Sequence, residues 1–261
     1  MTHDSANEPL ETLFTPQEAL AQRFRRGRGP NFAPPQGVIL CYQRRLLDTV
    51  KRRGRAKKVA GFSAELYLLR ETDDRVAVAG GFGVGAAAAV VLLEELGAFG
   101  VHKFISVGLA GGLQESLQAG DLVVCNRALR DEGPSRHYLP PSDDVLPSST
   151  LNQSIQRALE SLGHAYQVGA TWTMDAPYRE TRQAAERHRR EGVKTVEMEA
   201  AALFAVGQQR GYHVACAFSV ADALHDLQWR LDYDEHKAES GLVALVDAAM
   251  IALQEGDPGQ A

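Results

Sequence analysis

The stretch RVAVAGGFGVGAAAAVVLLEELGAFGVHKFISVG, residues 75–108, decides how this chain folds. RVAVAGG and KFISVG are short β-rich runs. Between them GAAAAVVLLEELGAFG (85–100) is dominated by alanine and leucine, strong helix formers. It ends on glycine, the residue that most readily takes the left-handed conformation closing a helix. The turn GGFGVG (80–85) opens that helix, where backbone N–H groups can meet an anion. It lacks the Gly-Lys-Ser/Thr of a P-loop, and no acidic residue ends a neighbouring strand as a dinucleotide fingerprint requires. Strand, turn, helix, strand is the repeating unit of an α/β sheet.

The alternation continues in both directions. Upstream, GVILCY (37–42) predicts a strand, RLLDTVKRR a helix and AELYLLR a strand. Downstream, DLVVCNRAL, YQVGATW and HVACAFSV predict strands. Residues 150–162, 199–210 and LVALVDAAMIALQ predict helices. No internal repeat or break in composition divides the pattern, which predicts one domain over residues 36–255. A flexible arm (1–35), in which QEALAQRF can form a helical turn or two, precedes it and a short tail (256–261) follows. Arg23, Arg25, Arg26 and Arg28 in the arm read either as a solvated tail or as a contact for a neighbouring subunit or a phosphate.

The 261 residues suffice for a sizeable core, and 44% hydrophobic with 23% charged residues excludes collagen-like, coiled-coil and wholly disordered classes. The charge sum, 28 − 33 = −5, gives no electrostatic case for nucleic-acid binding. Cys41, Cys125 and Cys216 are few and scattered, against a disulfide framework or a cysteine-rich zinc site. Cys41 and Cys216, in apolar strands, read as buried small hydrophobes. His225 and His236, among Asp226, Asp232, Asp234 and Glu235, match no zinc spacing and read as a solvated polar segment. Trp229 reads as a packing or lid residue. No signal peptide or membrane-spanning run is expected, so the chain reads as cytoplasmic.

In α/β sheets ligands collect at the carboxyl ends of the strands. Gly108-Leu109-Ala110-Gly111-Gly112 follows the strand KFISV and is either a tight turn or a close approach to a ligand. RALRDEGPSRHYLPP (127–141) crowds Arg130, Asp131, Glu132, Ser135, Arg136, His137 and Tyr138 beyond a strand, as a binding rim or a polar loop. In VEMEAAALF (196–204), Glu197 and Glu199 flank Met198 at a helix entry, where they either complement the helix dipole or, through Glu199, grip a diol. Asp222, after the apolar run ACAFSVA, is either a general acid or a helix cap.

SVGLAGGLQESLQAGDLVV, RDEGPSRHYLPP, TWTMDAPYRET, VEMEAAALFAV and the closing FSVAD, in that order across residues 37–250, resemble the nucleoside phosphorylases and their related nucleosidases. RDEGPSRHYLPP and TWTMDAPYRET look most like the uridine phosphorylase-like branch. The resemblance implies a single-domain three-layer α/β/α fold around a mixed, partly barrel-like sheet, assembled as a homo-oligomer (a dimer or a trimer of dimers). It implies phosphate attack on a nucleoside, giving free base and ribose 1-phosphate, with phosphate as co-substrate and neither metal nor organic cofactor. Two alternatives are hydrolysis of the same bond, as in the nucleosidases, and a nucleoside-binding protein without turnover.

Residue by residue, the resemblance gives Glu197, Met198 and Glu199 to the ribose, with Glu199 on the 2′ and 3′ hydroxyls. It gives Asp222 to the base ring as in purine-cleaving members, and Thr173, Asp175, Tyr178 and Arg179 to the wall around the base. For phosphate it leaves Gly108, Arg45, Arg44 and Arg130. Here the chain departs from the family: Cys41, Tyr42 and Gln43 replace the usual Gly-Asp-Pro turn, and Ser106 and Leu109 stand where phosphorylases carry an arginine and a hydroxyl. Losing a planar guanidinium weakens oxyanion recognition, which is the basis of the hydrolytic alternative.

Overall fold

The apolar run Gly37–Cys41 forms β1, buried along its whole length, with β4 (Val76–Gly80) and β5 (Lys103–Gly112) as parallel neighbours. In this computed structural model the described residues are 12–53, 56–223 and 234–255. Beyond β4 the sheet continues antiparallel through β3 (Glu65–Leu68) to the short edge strand β2 (Lys57–Val59). On the other side it closes on itself. β5 pairs with β10 (His213–Ala223), β10 with β6 (Leu122–Asp131), β6 with β8 (Gln167–Met174), β8 with β9 (Thr195–Glu197), and β9 returns to β5. The result is a five-strand barrel, with β7 (Asp144–Val145) paired to β6 outside the ring.

Helices cover both faces. α3 (Ala86–Phe99) and α6 (Ala200–Arg210) each bury eight residues, in line with sequences apolar on every side. They pack with Val38, Leu40, Phe104, Cys216 and Phe218. On the opposite face α2 (Arg44–Arg53), α4 (Ser149–Ser161) and α7 (Glu235–Gln254) enclose Ile39, Ile105, Val107 and Val124. α5 (Arg182–Arg190) covers Trp172 on the outside of β8. This is the expected three-layer arrangement with a partly barrel-like sheet. Among the described residues no helix is long and apolar enough to cross a membrane.

Four details differ from the sequence reading. The glycines 108–112 make no loop, because β5 runs through them to Gly112. The last helix begins at Glu235, seven residues before the apolar run, with Asp234 capping Lys237 N–H at 3.1 Å. The helical turn or two read at QEALAQRF in the arm extends to a capped ten-residue helix, α1 (Pro16–Arg25), in which Thr15 and Glu18 form a reciprocal capping box. Arg23 ties α1 to the domain by an ion pair with Glu95 and a 2.7 Å bond to Gly61 O. Arg25, Arg26 and Arg28 are exposed. The β2 and β7 strands were not foreseen; they are three and two residues long, too short to show periodicity. His225, Asp226, Trp229 and Asp232 lie outside the described residues.

Candidate active site

Glu197 ends β9 and Glu199 opens α6, and the two carboxylates have different fates. Glu197 Oε2 accepts from Glu199 N–H and Ala200 N–H, both at 2.8 Å, so it satisfies the free donors at the start of α6. Its Oε1 accepts from the Thr173 hydroxyl at 2.5 Å, while Thr173 Oγ1 in turn accepts from Ala201 N–H at 3.0 Å. Both residues are buried. Glu197, expected at the ribose, and Thr173, expected at the wall around the base, together lock the β8–β9–α6 junction.

Glu199 makes no cap bond. Its Oε1 reaches across the barrel mouth to Gly85 N–H at the start of α3. The anion that GGFGVG receives is thus one of the protein's own carboxylates. Gly85 has φ +95°, a conformation that side-chain-bearing residues rarely adopt, and Met198 Cε lies 3.8 Å from the position a Cβ would take there. Burial raises the pKa of both glutamates; Glu199 adds to the rise in Glu197, and Asp175 to that in Glu199.

Beside this pair, Tyr42 shares a 2.9 Å hydroxyl–hydroxyl hydrogen bond with Ser106 and packs edge-on against Phe82 at 5.4 Å. Its ring also lies over Gly108, where a Cβ would stand 3.3 Å from Tyr42 Cδ2. A side chain at Gly108 would crowd this ring. Burial, with Glu199 and Glu197 contributing, pushes the Tyr42 phenol well above its ordinary range, so it stays a neutral hydroxyl.

Behind Leu109 opens a cavity of about 420 Å³, lined by Gln43, Arg44, Arg45, Thr49, His236 and Ser240 among others. Two of the expected phosphate arginines come together here, next to the strand end where the resemblance puts phosphate. Both are engaged: Arg45 Nη1 with Glu235 at 2.6 Å and Glu239 at 3.0 Å, Arg44 with Glu65 and Asp48. These are largely exposed pairs, screened by solvent, so an incoming anion can displace them. The third, Arg130, is not at this site. It is buried and gives all five of its hydrogen bonds to the 135–142 loop: Ser135 Oγ, Ser135 O, Leu139 O, Pro140 O and Ser142 Oγ, at 2.7–3.2 Å.

Across the mouth, Asp222 stands opposite Gly111 after a bulge between Val220 and Asp222, which turns the strand end. It is half-buried, and burial raises its pKa. Asp175 Oδ2 accepts from Gly133 N–H at 2.9 Å and so ties the RDEGPSRHY loop to the segment after β8. Tyr178 and Arg179, expected at the wall around the base, are exposed. The residue of that segment that turns inward is Glu180, which the sequence reading passed over. Its signal was its place directly before Thr181, whose hydroxyl caps α5 at Ala184 N–H. Burial pushes the Cys41 thiol up to about 12 and raises those of Cys125 and Cys216 as well, so none is a thiolate at neutral pH.

The raised carboxylates predict how stability depends on pH. Glu180, pushed up to about 7, and Glu197 and Glu199 bind protons more tightly folded than unfolded. Their contribution is complete below the ordinary glutamate range and is lost as pH rises through neutrality. Glu65, lowered to about 2, is already fully ionised there and cannot offset the loss. The melting temperature of the unliganded protein should fall between pH 5 and pH 8.5, and Glu197→Gln should flatten the slope in differential scanning fluorimetry. A melting temperature that rises across that interval would show the carboxylates to be ionised in the folded chain.

Residues 37–251 match the family model described as the phosphorylase superfamily, most of the chain and the whole of the barrel. The chain belongs to that superfamily. Among curated relatives of this chain, a uridine phosphorylase of Thermococcus kodakarensis is 29% identical over 151 residues, covering 53% of this chain and 54% of the relative. A guanosine phosphorylase of Halorubrum lacusprofundi is 29% identical over 138 residues, 53% and 57%. A uridine phosphorylase of Treponema pallidum is 27% identical over 188 residues, 67% and 73%. The chain thus spans little more than half the length of the first two. A crystal structure of uridine phosphorylase from Vibrio fischeri shares the fold, with TM-score 0.72 and 24% identity over 86% of this chain and 94% of that one.

Proposed function

We propose that this superfamily member cleaves the N-glycosidic bond of a nucleoside, with phosphate as the attacking nucleophile. The observation that carries the reading is Glu199. Its neighbour Glu197 is consumed as a helix cap, whereas Glu199 is held through one oxygen at the mouth of the barrel. No described side chain hydrogen-bonds its other oxygen. A carboxylate so held can take two adjacent ribose hydroxyls and fix the sugar while positive charge develops at its anomeric carbon. Asp222, across the mouth, meets the base as the bond's electron pair moves onto it. The Arg44–Arg45 cavity beside Leu109 supports phosphate, as do the names of the relatives.

Hydrolysis is the second reading, favoured by two observations: Leu109 puts an apolar side chain into the cavity wall, and carboxylates already occupy both arginines. Uridine, inosine, adenosine and 5′-methylthioadenosine, incubated with and without phosphate and resolved by chromatography, decide between them. Phosphorolysis predicts free base and sugar 1-phosphate only when phosphate is present. Equal release of free sugar in both conditions would replace phosphorolysis with hydrolysis.

A further inference from the structure

The sheet splits beside the Glu199 mouth. β10 follows one edge of β5 from Lys103 to Gly112, so β1 and β9 share the other edge. β1 accompanies that edge as far as Val107, and β9 joins it at Gly111. Between them, among the described residues, Gly108, Leu109 and Ala110 have no strand on that side. β4 ends level with β1, with Leu40 opposite Ala79, and does not cover the opening. The gap therefore joins the two faces of the sheet. On one face lie α3, α6 and, at the mouth, Glu199. On the other, behind Leu109 and against α2 and α7, lies the cavity of Arg44 and Arg45.

Two half-buried aromatic side chains stand at this gap, both packed on the Glu199 face. Tyr42 directly follows β1, and Phe82 lies in the turn after β4, with their ring centroids 5.4 Å apart. The Tyr42 ring lies over Gly108, and its hydroxyl bonds the Ser106 hydroxyl at 2.9 Å. The turn that carries Phe82 goes on to Gly85, whose N–H holds Glu199. The residues after Tyr42, namely Gln43, Arg44 and Arg45, line the cavity. The ring thus stands between the carboxylate and the arginines. One neutral hydrogen bond and one edge-on ring contact hold it, a latch light enough to open. We propose that Tyr42 is the gate that selects the nucleophile. Latched on Ser106, it closes the gap to phosphate, which passes from the arginine cavity to the sugar only when the ring swings off Gly108. The apparent affinity for phosphate is then lowered by the fraction of molecules whose gate is open. Tyr42 is a specificity-determining residue and takes no part in the bond changes.

The gate rests on the phosphorolytic reading, and steady-state kinetics with product analysis separates the two. Ser106→Ala and Tyr42→Phe each remove the latch and keep the ring. Each should lower the phosphate KM about fivefold, the weight of one neutral hydrogen bond in the open–closed equilibrium, while the nucleoside KM does not follow. Because both remove the same bond, the double variant should do no more than either single one. Tyr42→Ala removes the ring itself; it should lower the phosphate KM further and raise the share of sugar 1-phosphate over free sugar at fixed phosphate. Melting curves report whether each variant folds. A phosphate KM that is unchanged or raised in folded Ser106→Ala and Tyr42→Ala would overturn the gate and leave phosphorolysis standing. A parent that releases only free sugar would overturn phosphorolysis. The gate then survives if sugar 1-phosphate appears in Tyr42→Ala, and falls if it does not. If Tyr42→Ala does not fold, Ser106→Ala and Tyr42→Phe decide by the same readouts. No cleavage by the parent or any variant would overturn glycosidic cleavage and the gate together.

Discussion

Glu199→Gln is expected to lower kcat by about 10²–10³-fold, the cost of removing one preorganised group that meets charge developing in a transition state. The amide can still accept the Gly85 N–H through its oxygen, so α3 and α6 stay joined and the fold is retained. What is lost is the negative charge beside the sugar and the capacity to accept from both ribose hydroxyls. Glu199→Ala should be no worse in turnover but less stable, because it leaves the Gly85 N–H without its acceptor. Initial rates with a melting curve for each variant are the measurement. Wild-type rates in Glu199→Gln would remove the ribose from this residue and with it the central argument for nucleoside cleavage.

The second large effect is on stability. Arg130→Ala should cost about 3 kcal/mol or more, because five donors from one buried guanidinium hold the 135–142 loop and no other side chain can serve those acceptors. For a chain of this size that is a fall of roughly 6–12 °C in melting temperature. Arg130→Lys should recover only part, since an ammonium cannot span acceptors arranged around a planar fork. The phosphate KM of the surviving folded enzyme should be unchanged. A variant of normal stability with a raised phosphate KM would return Arg130 to the phosphate site.

The contrast between these two residues shows what the sequence could carry. Gly85 and Gly100 bracket α3, and a glycine at each end of an Ala-Leu run is visible without coordinates. VEMEAAALF likewise announced a carboxylate pair at a helix entry. Which glutamate would be spent on the helix depended on Thr173, more than twenty residues upstream, whose hydroxyl turns Glu197 inward. Local spacing contains no such information. Arg130 was drawn toward phosphate because arginine suits oxyanions; its actual partners are mostly backbone carbonyls of a loop, which any sequence possesses and none advertises. Tyr42 over Gly108 is a third case, since a glycine that makes room for an aromatic ring reads the same as one that makes room for a ligand. Glu180 was hidden by its exposed neighbours Tyr178 and Arg179, the more eye-catching chemistry in the same turn.

The strand that closes the ring has a consequence in time. β10 is the last strand among the described residues and lies in space between β5 and β6, which precede it by roughly a hundred residues. Until residues 213–223 leave the ribosome, the long β5 has no β10 beside it and β6 lacks one of its neighbours. Pairings so distant in sequence form slowly, because a large loop must close before any contact rewards it. A nascent or truncated chain ending before His213 therefore carries two open strand borders, the kind of surface that recruits other chains. The barrel can close only once this late strand has been made, and the same strand brings Asp222, so protection from aggregation and the candidate acid arrive together.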